Sequence, residues 1–139
     1  MRTTYEAKLD VTNEKAVQAE IEKRWSCNLH KMPKAQHIDW VATRGKQATA
    51  FIELKCRTNK RHQYPTLMLS FSKWMHGIQM ASAAAIPFLL VIRWLDGTYY
   101  LKVTDSTPMR VEHGGRQDRG DWQDMEPVVQ IDINLFRPL

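Results

Sequence analysis

The residues best placed to do chemistry are Asp39, Glu53 and Lys55, which lie in the stretch from Gln36 to Arg57. Two runs rich in Val, Ile, Phe, Thr and Ala flank Arg44-Gly45-Lys46-Gln47, a turn signal in which glycine supplies the backbone angle of a tight hairpin. The runs read as neighbouring antiparallel strands, one beginning beside Asp39 and the other carrying Glu53-Leu54-Lys55. Alternation along the second strand puts Phe51, Glu53 and Lys55 on one face and Ile52, Leu54 and Cys56 on the other. A loop with an odd number of residues, such as Gly45 to Gln47, sets position 39 opposite position 53, about 5 Å apart at Cβ. A two-residue loop sends them to opposite faces unless a bulge intervenes, and the sequence leaves both registers open.

Two carboxylates this close repel, and beside a half-buried strand end they cost stability unless a cation joins them. Oxygen-only ligands favour Mg²⁺ or Mn²⁺, and Mg²⁺ is commonly held by one or two carboxylates together with water and substrate phosphate. Lys55, two residues from Glu53 on the same face, could orient or help deprotonate an attacking water, or steady charge on a phosphate.

Several elements must position this trio. Residues 1 to 10 read as an extended lead-in or short strand. Thr12 or Asn13 then caps a helix from Glu14 to Trp25, with Val17, Ile21 and Trp25 at helical spacing. Residues 26 to 35 read as a polar connection. Cys27, His30, His37 and Cys56 do not have the spacing of a zinc knuckle and read as unrelated surface residues. After the hairpin, Arg57, Lys60 and Arg61 concentrate positive charge beside the proposed site, where they would draw in a phosphate backbone. Tyr64-Pro65-Thr66 is a break. A second helix starts near Ser70 or Ser72, carries Lys73, and ends in Ala83-Ala84-Ala85 before Pro87. Phe88 to Trp94 is a continuous apolar run suited to a central strand buried on both faces. Asp96-Gly97 turns it into Thr98 to Val103, whose Tyr99 and Tyr100, with Trp94, read as packing residues before base-stacking ones. Residues 105 to 127 read as a long loop in which Arg116 and Arg119 could clamp nucleic acid, although Asp118, Asp121 and Asp124 argue against a simple phosphate cradle. Val128 to Ile133 reads as a last strand folding back on the sheet.

Asp39, thirteen intervening residues, then Glu53-Leu54-Lys55 resembles the core of the PD-(D/E)xK nucleases, the group that includes restriction endonucleases and archaeal-type Holliday-junction resolvases. The order helix, hairpin, helix, apolar strand resembles that family's αβββαβ arrangement over about residues 12 to 104. Ile38 stands where the name-giving proline would be. The resemblance implies an α/β, restriction-endonuclease-like fold with a mixed central sheet flanked by helices, a small phage-type or mobile-element member, and residues 1–139 as a single domain. It also implies Mg²⁺ or Mn²⁺ held by Asp39, Glu53 and the Leu54 carbonyl, with Lys55 assisting hydrolysis. Glu14-x-x-Val17-x-x-x-Ile21 matches the family's acidic position on the first helix. Glu14 is therefore a further candidate for catalysis and metal, against a plain helix-dipole role, with Glu20 the substitute. Lys73 occupies the place of a site-facing Lys or Gln, as against an ordinary exposed helix lysine, with Gln79 the weaker choice. Members of this size often pair, and a homodimer is carried over by analogy.

The 139 residues suffice for one domain with a sizeable core, and 20 Lys and Arg against 15 Asp and Glu give a net charge of +5 that favours an acidic partner. The two cysteines form no disulfide framework, and no cationic-then-apolar leader opens the chain, so a reducing cytoplasm is expected. The most apolar run, Ile78 to Ile92, is too short and broken to span a bilayer. The reading is a metal-dependent endonuclease acting on DNA, with the small size suggesting structure-selective or weakly specific cutting. A non-catalytic nucleic-acid-binding module that retains the fold, and a nuclease of RNA, are the alternatives.

Overall fold

The computed structural model describes residues 4–36, 38–115 and 125–139. A six-stranded mixed sheet runs in the order β1-β2-β3-β5-β6-β9. Its strands are β1 (Asn28–Lys31), β2 (Trp40–Arg44), β3 (Gln47–Cys56), β5 (Phe88–Trp94), β6 (Gly97–Val103) and β9 (Arg137–Pro138). β3 and β5 are parallel, with Glu53 beside Leu90, and the remaining neighbours are antiparallel. A second sheet of three strands has the order β4-β8-β7, from β4 (Thr66–Ser70), β7 (Arg110–Gly115) and β8 (Met125–Asp132).

The alternation in β3 sorts two cores onto the two faces of the large sheet. Helix α1 (Thr4–Trp25) lays Val17 and Ile21 on Trp40, Ala42, Ala50, Ile52, Leu54 and Val91. Val17 and Ile21 are buried almost completely, each contributing roughly 1.5–3 kcal/mol of apolar transfer. On the other face, helix α2 (Phe71–Ala84) and the inner row of the second sheet, Leu67, Leu69, Val129 and Ile131, close over Phe51, Phe88, Leu90 and Ile92. α2 lies very close to β5, because a Cβ built on Gly77 would sit 2.2 Å from Cε2 of Phe88. The helix stops at Ala85, which adopts a left-handed φ of 57° and donates its N–H to the Ala81 carbonyl, and Pro87 follows. Among the described residues no helix is long and apolar enough to cross a membrane.

Four expectations are corrected. The first helix begins at Thr4, so the expected lead-in over 1 to 10 is largely helical and Thr12 and Asn13 lie inside the helix. The polar connection after it contains β1, in which Leu29 alone is buried. The break at Tyr64-Pro65 leads into β4 before α2 starts. The last strand pairs with β4 and β7 in the second sheet, away from the central one, and β7 occupies part of the expected 105–127 loop.

Candidate active site

The hairpin that positions the acids has a two-residue loop, Gly45-Lys46, with Gly45 at a φ of 62° and Arg44 paired to Gln47. That loop alone would put Asp39 and Glu53 on opposite faces. A bulge intervenes: Thr43 pairs with Ala48 but Ala42 pairs with Ala50, so Thr49 is the extra residue. Its hydroxyl donates to the Ala42 carbonyl at 3.2 Å, holding the irregular step. Beyond it the register reads Val41↔Phe51 and Trp40↔Ile52, so continuing it by one residue sets Asp39 opposite Glu53. β3 runs on past the start of β2, and the Leu54 N–H is taken by Asp39 Oδ2 at 3.1 Å, which orients that carboxylate.

Glu53 is fully buried on the α2 face. Lys73 Nζ, from the first turn of α2, donates to Glu53 Oε2 at 2.8 Å, and Lys55 Nζ lies 3.6 Å from the same oxygen. Glu53 Oε1 is buried with no hydrogen-bond partner among the described atoms. Burial, and next the charge of Asp39, raise the Glu53 pKa above the ordinary carboxylate value even with both ammonium groups present. The two lysines diverge. Burial outweighs the Glu53 charge at Lys55 and lowers its pKa. Burial also works against Lys73, but the hydrogen bond and charge of Glu53, with Asp39 behind it, prevail and raise it. Lys73 is thus the firm counter-ion and Lys55 the more readily deprotonated amine.

A cavity of about 320 Å³ opens beside this pair, lined by Glu14, Lys31, Asp39, Leu54, Lys55, Cys56 and Arg57. Among the described residues no three His, Cys, Asp or Glu side chains gather as a ready-made cation cage. The donors present are two carboxylates and the backbone at Leu54, with one carboxylate oxygen, Glu53 Oε1, buried and unpartnered. A hard cation completed by water and phosphate fits that set.

Asp39, Leu54, Lys55 and Glu14 line one cavity, whereas Glu53 is fully buried and outside that lining, 3.6 Å from Lys55 Nζ. Glu14 is engaged there, its Oε1 accepting from Lys31 at 3.3 Å. Glu20 lies elsewhere, 3.5 Å from Arg93, and Gln79 is exposed. Arg57 lines the cavity and donates to the Met68 carbonyl at 3.1 Å, while Lys60 is exposed and Arg61 lies over the Tyr99 ring at 4.3 Å. Arg116 and Arg119, with Asp118, Asp121 and Asp124, fall outside the described residues, as does His37. Trp94, Tyr99 and Tyr100 pack: Trp94 meets Tyr99 and Phe136 edge-on, and Tyr100 meets Trp25. Ile38, in the proline position, is buried in the α2-side core. Sequence reasoning missed Lys31, which sits 5.0 Å above the Trp40 ring and beside Glu14. Its signal, the short Asn28-Leu29-His30-Lys31 strand, has a single apolar residue to announce it.

A mixed sheet between helices, with an acid opposite Glu-x-Lys on a central strand, is the architecture of a restriction-endonuclease-like nuclease. The chain belongs to the phage PD-(D/E)xK nucleases: the family described as "Phage putative PDDEXK endonuclease" matches residues 1–139. Among solved structures, Hjc from Archaeoglobus fulgidus, a Holliday junction resolvase of an archaeal hyperthermophile solved at 1.6 Å, is similar with a TM-score of 0.63. Identity is 16%, over 94% of this chain and 91% of that one, so the likeness is one of fold. No curated protein matches the chain.

Proposed function

We propose that this nuclease is a divalent-metal-dependent endonuclease that hydrolyses DNA phosphodiester bonds. The observation that carries the reading is the buried Glu53, its Oε1 without a partner among the described residues, set opposite Asp39 and beside Lys55, two residues that line an open cavity together with Lys31 and Arg57. Asp39, Glu53 and the Leu54 carbonyl would hold Mg²⁺ or Mn²⁺, with Glu14 able to join if it leaves Lys31. When bound, the cation supplies a Lewis acid that offsets the charge gathering on the phosphate.

The chain's own residues supply the rest. The Leu54 N–H keeps the Asp39 carboxylate aimed into the cavity. Lys55, held beside Glu53 with a lowered pKa, can orient the attacking water, accept its proton when neutral, or steady the phosphate when charged. Lys73 holds Glu53 from the far side. Lys31, Arg57 and Lys60 present positive charge that attracts the backbone.

The test is a cleavage assay on linear duplex, flap, four-way junction and single-stranded DNA, and on RNA, with Mg²⁺ or with EDTA. The parent should cut DNA only with the divalent ion. Asp39→Ala, Glu53→Ala and Lys55→Ala should lose cleavage while still binding the substrate. A purified Glu53→Ala protein that cuts as fast as the parent would refute the mechanism.

A further inference from the structure

A second cavity, of about 370 Å³, adjoins the first and shares Arg57 with it. Its wall is built from Arg57, Asn59, Arg61, Tyr64, Met68 and Gln130, over a floor of buried Leu67 and Trp94. Its rim carries two of the large apolar side chains left exposed, Tyr64 (56% exposed) and Met68 (44%). Arg57 is oriented by its bond to the Met68 carbonyl. Arg61 is held by its backbone N–H to Asp96 Oδ1 at 2.9 Å and by the Tyr99 ring, with its Nε buried and without a hydrogen-bond partner among the described residues.

From this we infer that the cleft is a subsite for one unpaired nucleotide of the substrate strand, next to the scissile phosphate. The inference rests on the DNA reading above and narrows it to substrates with an unstacked nucleotide beside the cut. Charge and continuity support it: Lys55 and Arg57 are two residues apart, about 7 Å along an extended chain, comparable with the step between neighbouring phosphates on a strand. A strand crossing the Asp39 cavity would therefore place its next phosphate at Arg57 and its sugar and base at the cleft. Shape supports it as well. A volume of this size takes one nucleotide, and the apolar floor with an exposed tyrosine favours a planar base over a second phosphate. A base held in a duplex cannot enter without leaving its stack, which costs least where pairing is already absent. Tyr64 supplies the stacking face, and Arg57 and Arg61 the anion contacts.

The test is metal-free binding, which separates it from the cleavage chemistry. Two DNAs of the same sequence, one fully paired and one with a single unpaired 2-aminopurine at a branch, are titrated in EDTA with parent, Tyr64→Ala and Tyr64→Phe proteins. Tyr64→Ala should weaken binding of the unpaired DNA roughly tenfold and abolish the quenching of its 2-aminopurine, with Tyr64→Phe retaining both and binding of the paired DNA unchanged. Equal loss on both DNAs, or no loss on either, overturns the subsite while leaving the nuclease reading intact. A parent that binds neither DNA overturns both.

Discussion

Replacing Gly77 by alanine tests the close approach of α2 to the sheet. The added Cβ would meet Phe88 Cε2 at 2.2 Å, Cδ2 at 2.4 Å and Cζ at 2.5 Å, far inside van der Waals contact. Phe88 cannot swing aside easily, because it is fully buried on β5 among Leu90, Trp74 and Val103. Two effects compete. Alanine in a helix interior is better than glycine by about 1 kcal/mol. Overpacking a close-packed core costs about 1–3 kcal/mol, and the upper end applies where backbone and an anchored ring must both move. The net expectation is a loss of about 2 kcal/mol. An unfolding entropy of about 2.1 cal/mol/K per residue over 139 residues makes that a fall in Tm of about 7 °C. Urea and thermal unfolding measure it, and the Gly77→Ala, Phe88→Leu double variant should recover part of the loss, giving a coupling above about 0.5 kcal/mol. The same shift would lift Lys73, one turn earlier on α2, from Glu53. A Gly77→Ala protein as stable as the parent, or more so, would show that helix propensity outweighs the contact and that α2 does not press on β5 as described.

Three further outcomes follow from the site. Glu53 has its pKa raised by burial and by Asp39, so the folded chain holds a proton that the unfolded chain releases above about 4.5. Its contribution is therefore present below that value and lost as pH rises through the folded one. Glu53→Gln should gain stability relative to the parent from pH ~4.5 towards neutrality, and urea midpoints that run parallel across that range would contradict it. Under the metal reading, Mn²⁺ at a hundred times its Kd should stabilise the parent by about 2.7 kcal/mol, with Asp39→Asn and Glu53→Gln gaining little; equal gains in all three would remove the proposed ligands. Arg57→Ala should weaken DNA binding at low salt and reduce the salt slope by about 1, and an unchanged slope would take Arg57 off the phosphate path.

The parts legible from sequence were those with strong periodicity or turn chemistry. Arg44-Gly45-Lys46-Gln47 marked its hairpin, Phe88 to Trp94 had the continuous apolar run of a strand covered on both faces, and Val17 and Ile21 marked the buried stripe of α1. What escaped lacked such a signature. β1 buries only Leu29, so no alternation appears in Asn28 to Lys31. β4 is short and follows Pro65, and its alternating Leu67 and Leu69 were masked by the nearby helix signal. Thr12 and Asn13 suit a cap yet lie within α1, because a cap residue stops a helix only if the chain before it turns away. Lys73 could be named from resemblance, but the two lysines converging on one oxygen depend on the separation of helix and sheet, which single-residue preferences do not encode.

The bulge at Thr49 makes the distance in sequence between the two acids a matter of odd and even. A relative that lost the extra residue but kept Asp39 facing Glu53 would need three residues in its turn, and one that lengthened its turn by one would need a flat ladder. Variation in this hairpin should thus come in compensating pairs that leave the gap between the acidic positions unchanged, so a constant spacing can hide hairpins that are built differently.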